Sequence, residues 1–232
     1  MRSGEIGFAL DLEGPLVDLE KEGHHTATLR AARMVGVELT FEEALKTLPH
    51  LAGGPGIITC GEIFELSDKS QTPEQLYELK ENLFLEWLRD TPIIPVRIGL
   101  FEFLEEMHRR DVKMMIGTGT ETYLALSYIN RTGLNEWFPR EKIVLAEDVG
   151  GKNKPLPDIY LETARIMGIK EEDQVVVEDS VRGVTAGVAA GSPVVGLPVY
   201  YIEAVIKALQ EAGAFIVYRE WPEVDLDRIL QI

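Results

Sequence analysis

The chain has 232 residues, 45% hydrophobic and 27% charged, which excludes a collagen-like, low-complexity or mostly disordered polypeptide. Lys and Arg number 23 against 39 Asp and Glu, and the formal net charge of −16 argues against non-specific binding to nucleic acid or to an anionic membrane. The single cysteine, Cys60, excludes an intrachain disulfide and a thiolate metal cluster, and it suits a reducing compartment. The segment MRSGEIGFALDLEG has no long apolar stretch ahead of its first charges, so no signal peptide is expected. No apolar run reaches the roughly 18 residues of a membrane helix, and a cytoplasmic protein, monomer or homodimer, is expected.

The first apolar run, Ile6 to Leu10, stops at Asp11 and is bounded by Gly4 and Gly14, which predicts a buried strand ending in a turn. Similar runs recur at Val112–Ile116, Ile143–Leu145, Val175–Val177, Val194–Leu197 and Phe215–Val217. Helical spacing lies between them: Leu100, Phe103, Leu104 and Met107 mark one face, Ile159, Ala164 and Met167 a second, and Ile202, Val205, Ile206 and Leu209 a third. Apolar strands alternating with amphipathic helices predict an α/β fold, a parallel sheet covered on both faces with right-handed crossovers. Residues 19–95 break the alternation. They carry helical stretches at His24–Val35, Phe41–Leu48 and Pro73–Leu88 and no strong strand. The expected organisation is a Rossmann-like α/β core of residues 1–18 and 96–232 with an inserted α-helical domain of residues 19–95, hinged near Asp18–Lys21 and Thr91–Arg97.

Open parallel sheets bind ligands beyond the carboxyl ends of their strands. Asp11 and Glu13 follow the first strand, Thr118 and Thr120 the second, Lys152 and Lys154 the third, and Glu178 and Asp179 the fourth. Four carboxylates on one edge cannot all ionise without a cation, and a hard divalent ion such as Mg²⁺ would offset their repulsion. A hydroxyl at Thr118 and an ammonium at Lys154 suit an anion such as a phosphoryl group.

Asp11-Leu12-Glu13-Gly14-Pro15-Leu16-Val17-Asp18 resembles the DxDGxLxD signature of the haloacid dehalogenase superfamily. Met115–Thr120 resembles its second motif, Lys154-Pro155-Leu156-Pro157-Asp158 the KPxPD third, and Val176–Gly183 the VxEDSxxG fourth. The motifs occur in order, with the helical insertion at the type-1 cap position, and the branch resembled is that of phosphoglycolate phosphatase and β-phosphoglucomutase. The resemblance implies that Asp11 is the nucleophile forming an aspartyl-phosphate. It implies that Asp11, the backbone carbonyl of Glu13 and Asp179 bind Mg²⁺, with Glu178 holding a water of its shell. Thr118 and Lys154 would engage the phosphoryl group, with Gly119 and Thr120 in the phosphate loop. Glu13 would protonate the leaving oxygen and then activate water, help worth about 10²–10⁴-fold.

The superfamily usually has Asp where this chain has Glu13. Dehalogenases carry an aromatic there and phosphonatases a small residue, so a carboxylate points to phosphate esters, and enolase-phosphatases carry a DxEGT version. Pro15 replaces the usual Thr or Val. His24 lies where the phosphoglucomutase-like branch places a substrate-facing cap histidine; a surface or packing role is the alternative. Leu51–Gly56 is either a substrate-reading loop or an interhelical turn. Ser180 is expected to cap the helix from Val181, Lys152 to be solvated, Cys60 to pack as a small apolar residue, and Gly183, Gly187 and Gly191 to allow close helix–sheet packing. The implied function is Mg²⁺-dependent hydrolysis of a small phosphorylated metabolite. A phosphomutase, disfavoured by the lack of Arg or Lys around His50–Cys60, and a catalytically weak binding protein are the alternatives.

Overall fold

The computed structural model describes residues 6–52 and 54–231. Gly4 and Gly53, which the sequence reading uses as a strand boundary and as part of an interhelical loop, lie outside the described residues. The chain separates into two compact units, Met1–Asp18 with Ile94–Ile232, and Leu19–Ile93.

The first unit is built on a six-stranded sheet of β1 (Gly7–Leu10), β2 (Lys113–Thr118), β3 (Ile143–Leu145), β4 (Gln174–Glu178), β5 (Val194–Gly196) and β6 (Ile216–Val217). Its order is β3-β2-β1-β4-β5-β6, and every pairing is parallel. All residues of β1, β3, β4 and β5 are buried, as the lack of polar alternation in these runs requires. β2 starts and ends later than the apolar run suggests, so Thr118 is its last residue. Leu10 is in register with Ile116 on one side and Val177 on the other. The residue after Leu10 therefore emerges between the carboxyl ends of β2 and β4, where the strand order reverses and a crevice opens.

The second unit is helical. A turn at Glu20–His24 leads into α1 (His25–Met34), followed by α2 (Phe41–Thr47), α3 (Gly56–Leu66) and α4 (Pro73–Asp90). Reciprocal capping boxes, Thr40 with Glu43 and Thr72 with Gln75, start α2 and α4, and Pro73 takes the first turn of α4, where a missing N–H costs nothing. Helix α3 is not announced by the sequence pattern. Its first residue, Gly56, belongs to the glycine-rich stretch that reads as a loop. Ala32, Val35, Leu48, Cys60, Ile63 and Leu76 form the core of this unit. Cys60 is a packing residue, and burial pushes its thiol up to about 11, away from reactivity.

The remaining helices flank the sheet: α5 (Leu100–Arg109), α6 (Thr122–Thr132), α7 (Asp158–Met167), α8 (Val181–Ala189), α9 (Glu203–Glu211) and the short α10 (Leu226–Ile229). Helix α5 buries Leu100, Phe103, Leu104 and Met107, and α7 buries Ile159, Ala164 and Met167, the faces their spacing predicts. Helix α9 differs. Only Leu209 is buried, and Ile202 precedes the helix and is 43% exposed. The glycine series splits by role. A Cβ on Gly187 would meet Val194 and Val176 at 2.7 and 3.0 Å, which is helix–sheet packing, whereas Gly191 takes φ 86° and turns the chain out of α8. Among the described residues, no helix is long and apolar enough to cross a membrane.

Candidate active site

Asp11 is buried immediately after β1, its backbone N–H donating to Val177 O at 3.0 Å. Lys154, also buried, donates from Nζ to Asp11 Oδ1 at 2.5 Å, to Glu178 Oε1 at 2.6 Å and to Gly117 O at 3.0 Å. The loop that delivers Lys154 turns through Gly150 and Gly151, both at positive φ. Asn153 ties that loop to the end of β2, donating from Nδ2 to Gly119 O at 3.0 Å while its Oδ1 accepts from Lys154 N at 2.7 Å. The Arg182 guanidinium donates to Lys154 O. Lys152 is solvent-exposed as expected, paired with Asp158 at 2.6 Å.

Glu178 is fully buried at the end of β4. Its Oε1 accepts from Lys154 and from the Tyr160 hydroxyl at 2.6 Å, and its Oε2 from Ser180 Oγ and Asp179 N, each at 3.2 Å. Ser180 Oγ also accepts from Gly183 N at 3.1 Å and so caps α8, as the sequence predicts. Two glycines let backbone close over the acids. A Cβ on Gly183 would lie 1.8 Å from Glu178 Cδ, and one on Gly14, at φ 94°, 2.2 Å from Asp179 Oδ2. The glycine of each motif is thus a steric demand of the carboxylate beside it.

Carboxylate oxygens of Asp11, Glu178 and Asp179 lie within 4.8 Å of one another, an all-oxygen set that suits a hard cation. The Glu13 side chain is not part of this trio. Its Oε1 accepts from Thr120 Oγ1 at 2.6 Å, Thr120 Oγ1 accepts in turn from Thr118 Oγ1 at 2.9 Å, and Thr118 Oγ1 accepts from Thr120 N at 3.1 Å. Asp11, Glu13, Thr118, Gly119, Thr120, Asn153 and Lys154, with Ser180 and Arg182, line one cavity of about 300 Å³. A larger cavity, about 680 Å³, lies at the opposite end of β2, where Trp137, Met114 and Met167 meet Lys113 and Lys142. It has none of the acids gathered at the strands' carboxyl edge.

Burial pushes the Asp11 carboxyl up to about 7; the Lys154 ammonium opposes that rise and Glu178 adds to it. Burial works against the charge on Lys154, yet Asp11 and Glu178 outweigh it and hold the ammonium above the ordinary lysine value. The Tyr160 hydroxyl is pushed far up by burial and by Glu178, so it is a permanent donor.

Within the helical unit, His24 stacks on Phe84 with ring centroids 3.8 Å apart, and Lys80 Nζ lies 2.8 Å from its Nδ1. Lys80 is buried, and its Nζ also donates to Glu81 Oε1 at 2.7 Å. Sequence reasoning missed Lys80, although a signal existed: it lies four residues after Leu76 and before Phe84, in the apolar stripe of α4. It missed Tyr160 and Arg97 as well. Arg97 is 2% exposed and donates to Gly14 O and Leu197 O, at 2.9 and 3.3 Å, and to Arg219 O and Glu220 Oε2, at 2.7 and 2.9 Å. With Trp221 Nε1, which donates to Pro15 O at 2.8 Å, it braces the loop after Asp11 from behind.

A parallel sheet in this order, with buried acids and a lysine at its carboxyl edge, is the architecture of a hydrolase of the haloacid dehalogenase type. The chain matches the family model of haloacid dehalogenase-like hydrolases over residues 7–191, and it belongs to that family and is an enzyme. It is 29% identical over 207 residues, 88% of its length and 89% of the relative's, to a phosphorylated carbohydrates phosphatase of Thermotoga maritima. It is 28% identical over 185 residues to the fructose-1-phosphate phosphatase YqaB of Escherichia coli, covering 80% of this chain and 92% of that one. Among solved structures, a family hydrolase from Deinococcus radiodurans with bound phosphate and sodium superposes with a TM-score of 0.75 at 26% identity, over 93% of this chain and 91% of that one. A haloacid dehalogenase-like protein from Agrobacterium tumefaciens shares the fold at a TM-score of 0.81 and 23% identity, over 98% of each chain.

Proposed function

We propose that this chain is a Mg²⁺-dependent phosphatase that hydrolyses a small phosphorylated sugar through an aspartyl-phosphate on Asp11. The observation that carries the reading is Lys154, bonded at once to Asp11 and Glu178 beside Thr118 in one small cavity. The activities of the two relatives, on phosphorylated carbohydrates and on fructose 1-phosphate, are the ground for choosing a sugar ester.

The acid trio supports a resident cation. Asp11, Asp179 and the Glu13 carbonyl would hold Mg²⁺, with Glu178 one shell further out, because its oxygens already accept from Lys154, Tyr160 and Ser180. When bound, Mg²⁺ supplies positive charge against the phosphoryl oxygens and orients them. Asp11 attacks phosphorus, and the bond to the ester oxygen breaks. Glu13 gives its proton to that oxygen as the alcohol leaves. The Glu13 carboxylate then takes a proton from a water that attacks phosphorus, which frees phosphate and restores Asp11. Thr118 and Lys154 hold the phosphoryl oxygens throughout. In this reading the helical unit serves as the cap domain, and within it Lys80 braces the His24 ring.

The test is phosphate release from a panel of sugar phosphates, fructose 1-phosphate among them, with Mg²⁺ or with EDTA. Release that needs Mg²⁺ and disappears in Asp11→Asn is expected. No turnover anywhere on the panel would sink the reading. Conversion of a sugar 1-phosphate to its 6-phosphate without net phosphate release would replace it with a phosphomutase.

A further inference from the structure

We infer that Thr120 is the positioning residue of the acid–base step, holding the Glu13 carboxyl through its hydroxyl. The inference deepens the phosphatase reading and rests on it. Glu13 carries one more rotatable bond than an aspartate in the same place, so its carboxyl has more orientations to lose before it can meet the ester oxygen. The hydroxyl chain removes them. Thr120 Oγ1 donates to Glu13 Oε1 at 2.6 Å, and Thr118 Oγ1 sets that direction by donating to Thr120 Oγ1 at 2.9 Å until its proton turns to the phosphoryl group. Thr118 is itself fixed, 1% exposed at the end of β2 and accepting from Thr120 N at 3.1 Å. The chain therefore runs from a rigid strand end through two short bonds to the acid–base carboxyl. All of its members line the same cavity as Asp11 and Lys154.

The step it serves balances as follows. As the bond from phosphorus to the ester oxygen breaks, its electron pair stays on that oxygen, which takes the Glu13 proton. In the second half Glu13 takes a proton from the attacking water, and the bond from phosphorus to Asp11 breaks. Thr120 exchanges no proton in either half. It fixes where Glu13 points.

A positioning role has a signature that a packing role lacks. Protonation matters most when the leaving group is a poor one, so loss of Thr120 must weigh on phenyl phosphate more than on 4-nitrophenyl phosphate. Single-turnover phenol release is measured for both esters, with Mg²⁺, in wild type, Thr120→Val, Thr120→Ser, Glu13→Gln and Glu13→Gln/Thr120→Val. Thr120→Val is expected to lose roughly tenfold or more in rate on phenyl phosphate, a part of the about 10²–10⁴-fold that acid–base help is worth, and several-fold less on the nitrophenyl ester. Thr120→Ser, which keeps the hydroxyl, is expected to recover most of the loss. In the Glu13→Gln background Thr120→Val should cost little further, since the two residues act as one unit. Equal loss on both esters, additive loss in the double variant or no loss at all would overturn the inference while leaving the phosphatase reading standing. Failure of the wild type on both esters and on every sugar phosphate of the panel would sink the two together.

Discussion

The Tyr160 hydroxyl donates to Glu178 Oε1 at 2.6 Å from within the protein interior, and both side chains are fully buried. A buried residue of α7 thus helps hold the carboxylate at the end of β4. Because burial and Glu178 keep the hydroxyl protonated far above its ordinary range, Tyr160 remains a donor at any working pH. Tyr160→Phe deletes a hydrogen bond to a buried charge and should cost about 2 kcal/mol of stability. Urea unfolding measures this. A change below about 0.5 kcal/mol, the scatter of an ordinary surface substitution, would show that the bond is dispensable.

Lys154 is the sole cation bonded to both Asp11 and Glu178 among the contacts described above. Lys154→Met leaves two buried carboxyls without it. Breaking such a buried pair costs about 3–5 kcal/mol. The loss should grow between pH 5 and pH 8. Without the ammonium, which opposes the rise of the Asp11 carboxyl, Asp11 keeps its proton in the folded protein to higher pH than in the wild type, so stability falls more steeply as pH rises. Thermal unfolding of both proteins in EDTA at the two pH values reads the difference. A loss independent of pH would contradict the electrostatic role.

Two glycine substitutions should act in opposite directions. At Gly183 a methyl would lie 1.8 Å from Glu178 Cδ, which neither the helix backbone nor the buried acid can avoid without moving. Gly183→Ala is expected to cost 2 kcal/mol or more, roughly the range of overpacking, and to disturb the acid cluster. Gly61 lies inside α3, and beyond its chain neighbours and the backbone of its own helix no atom lies within 4 Å of the added methyl. Gly61→Ala should gain about 0.5–1 kcal/mol by stiffening the unfolded chain and favouring the helix. Chemical unfolding of both variants checks the opposite signs.

Asp11, Thr118, Lys154, Glu178 and Asp179 are legible in the sequence because the topology of a parallel sheet dictates where a residue following each strand must go. Ser180 is legible because capping is local chemistry. Tyr160, Lys80 and Arg97 are not. Each has a long apolar body with a polar end, so the linear pattern fixes which element carries it and leaves open where its last atoms reach. Arg97 is the extreme case. It is remote in sequence from every partner named above except through folding, since its bonds to Gly14, Leu197 and Glu220 span more than 80 positions each. Helix α3 escapes for a different reason, because Gly56 at its start belongs equally well to the preceding turn.

The raised Asp11 gives the fold a pH dependence of predictable sign. The unfolded carboxyl loses its proton near 3.8, whereas burial holds the folded one to about 7. Between these values the native state binds more protons than the unfolded one, so this group lowers stability as pH climbs from about 4 to 7, and its effect is constant above that. Asp11→Asn has no proton to lose. In EDTA, unfolding free energy should decline less from pH 5 to pH 7 in Asp11→Asn than in wild type, and the variant should be the more stable of the two at pH 8. Mg²⁺ should reverse that order by binding the wild-type acids and not the amide, since a ligand of the native state stabilises it. Identical slopes in EDTA would mean that Asp11 ionises without the burial penalty its surroundings impose.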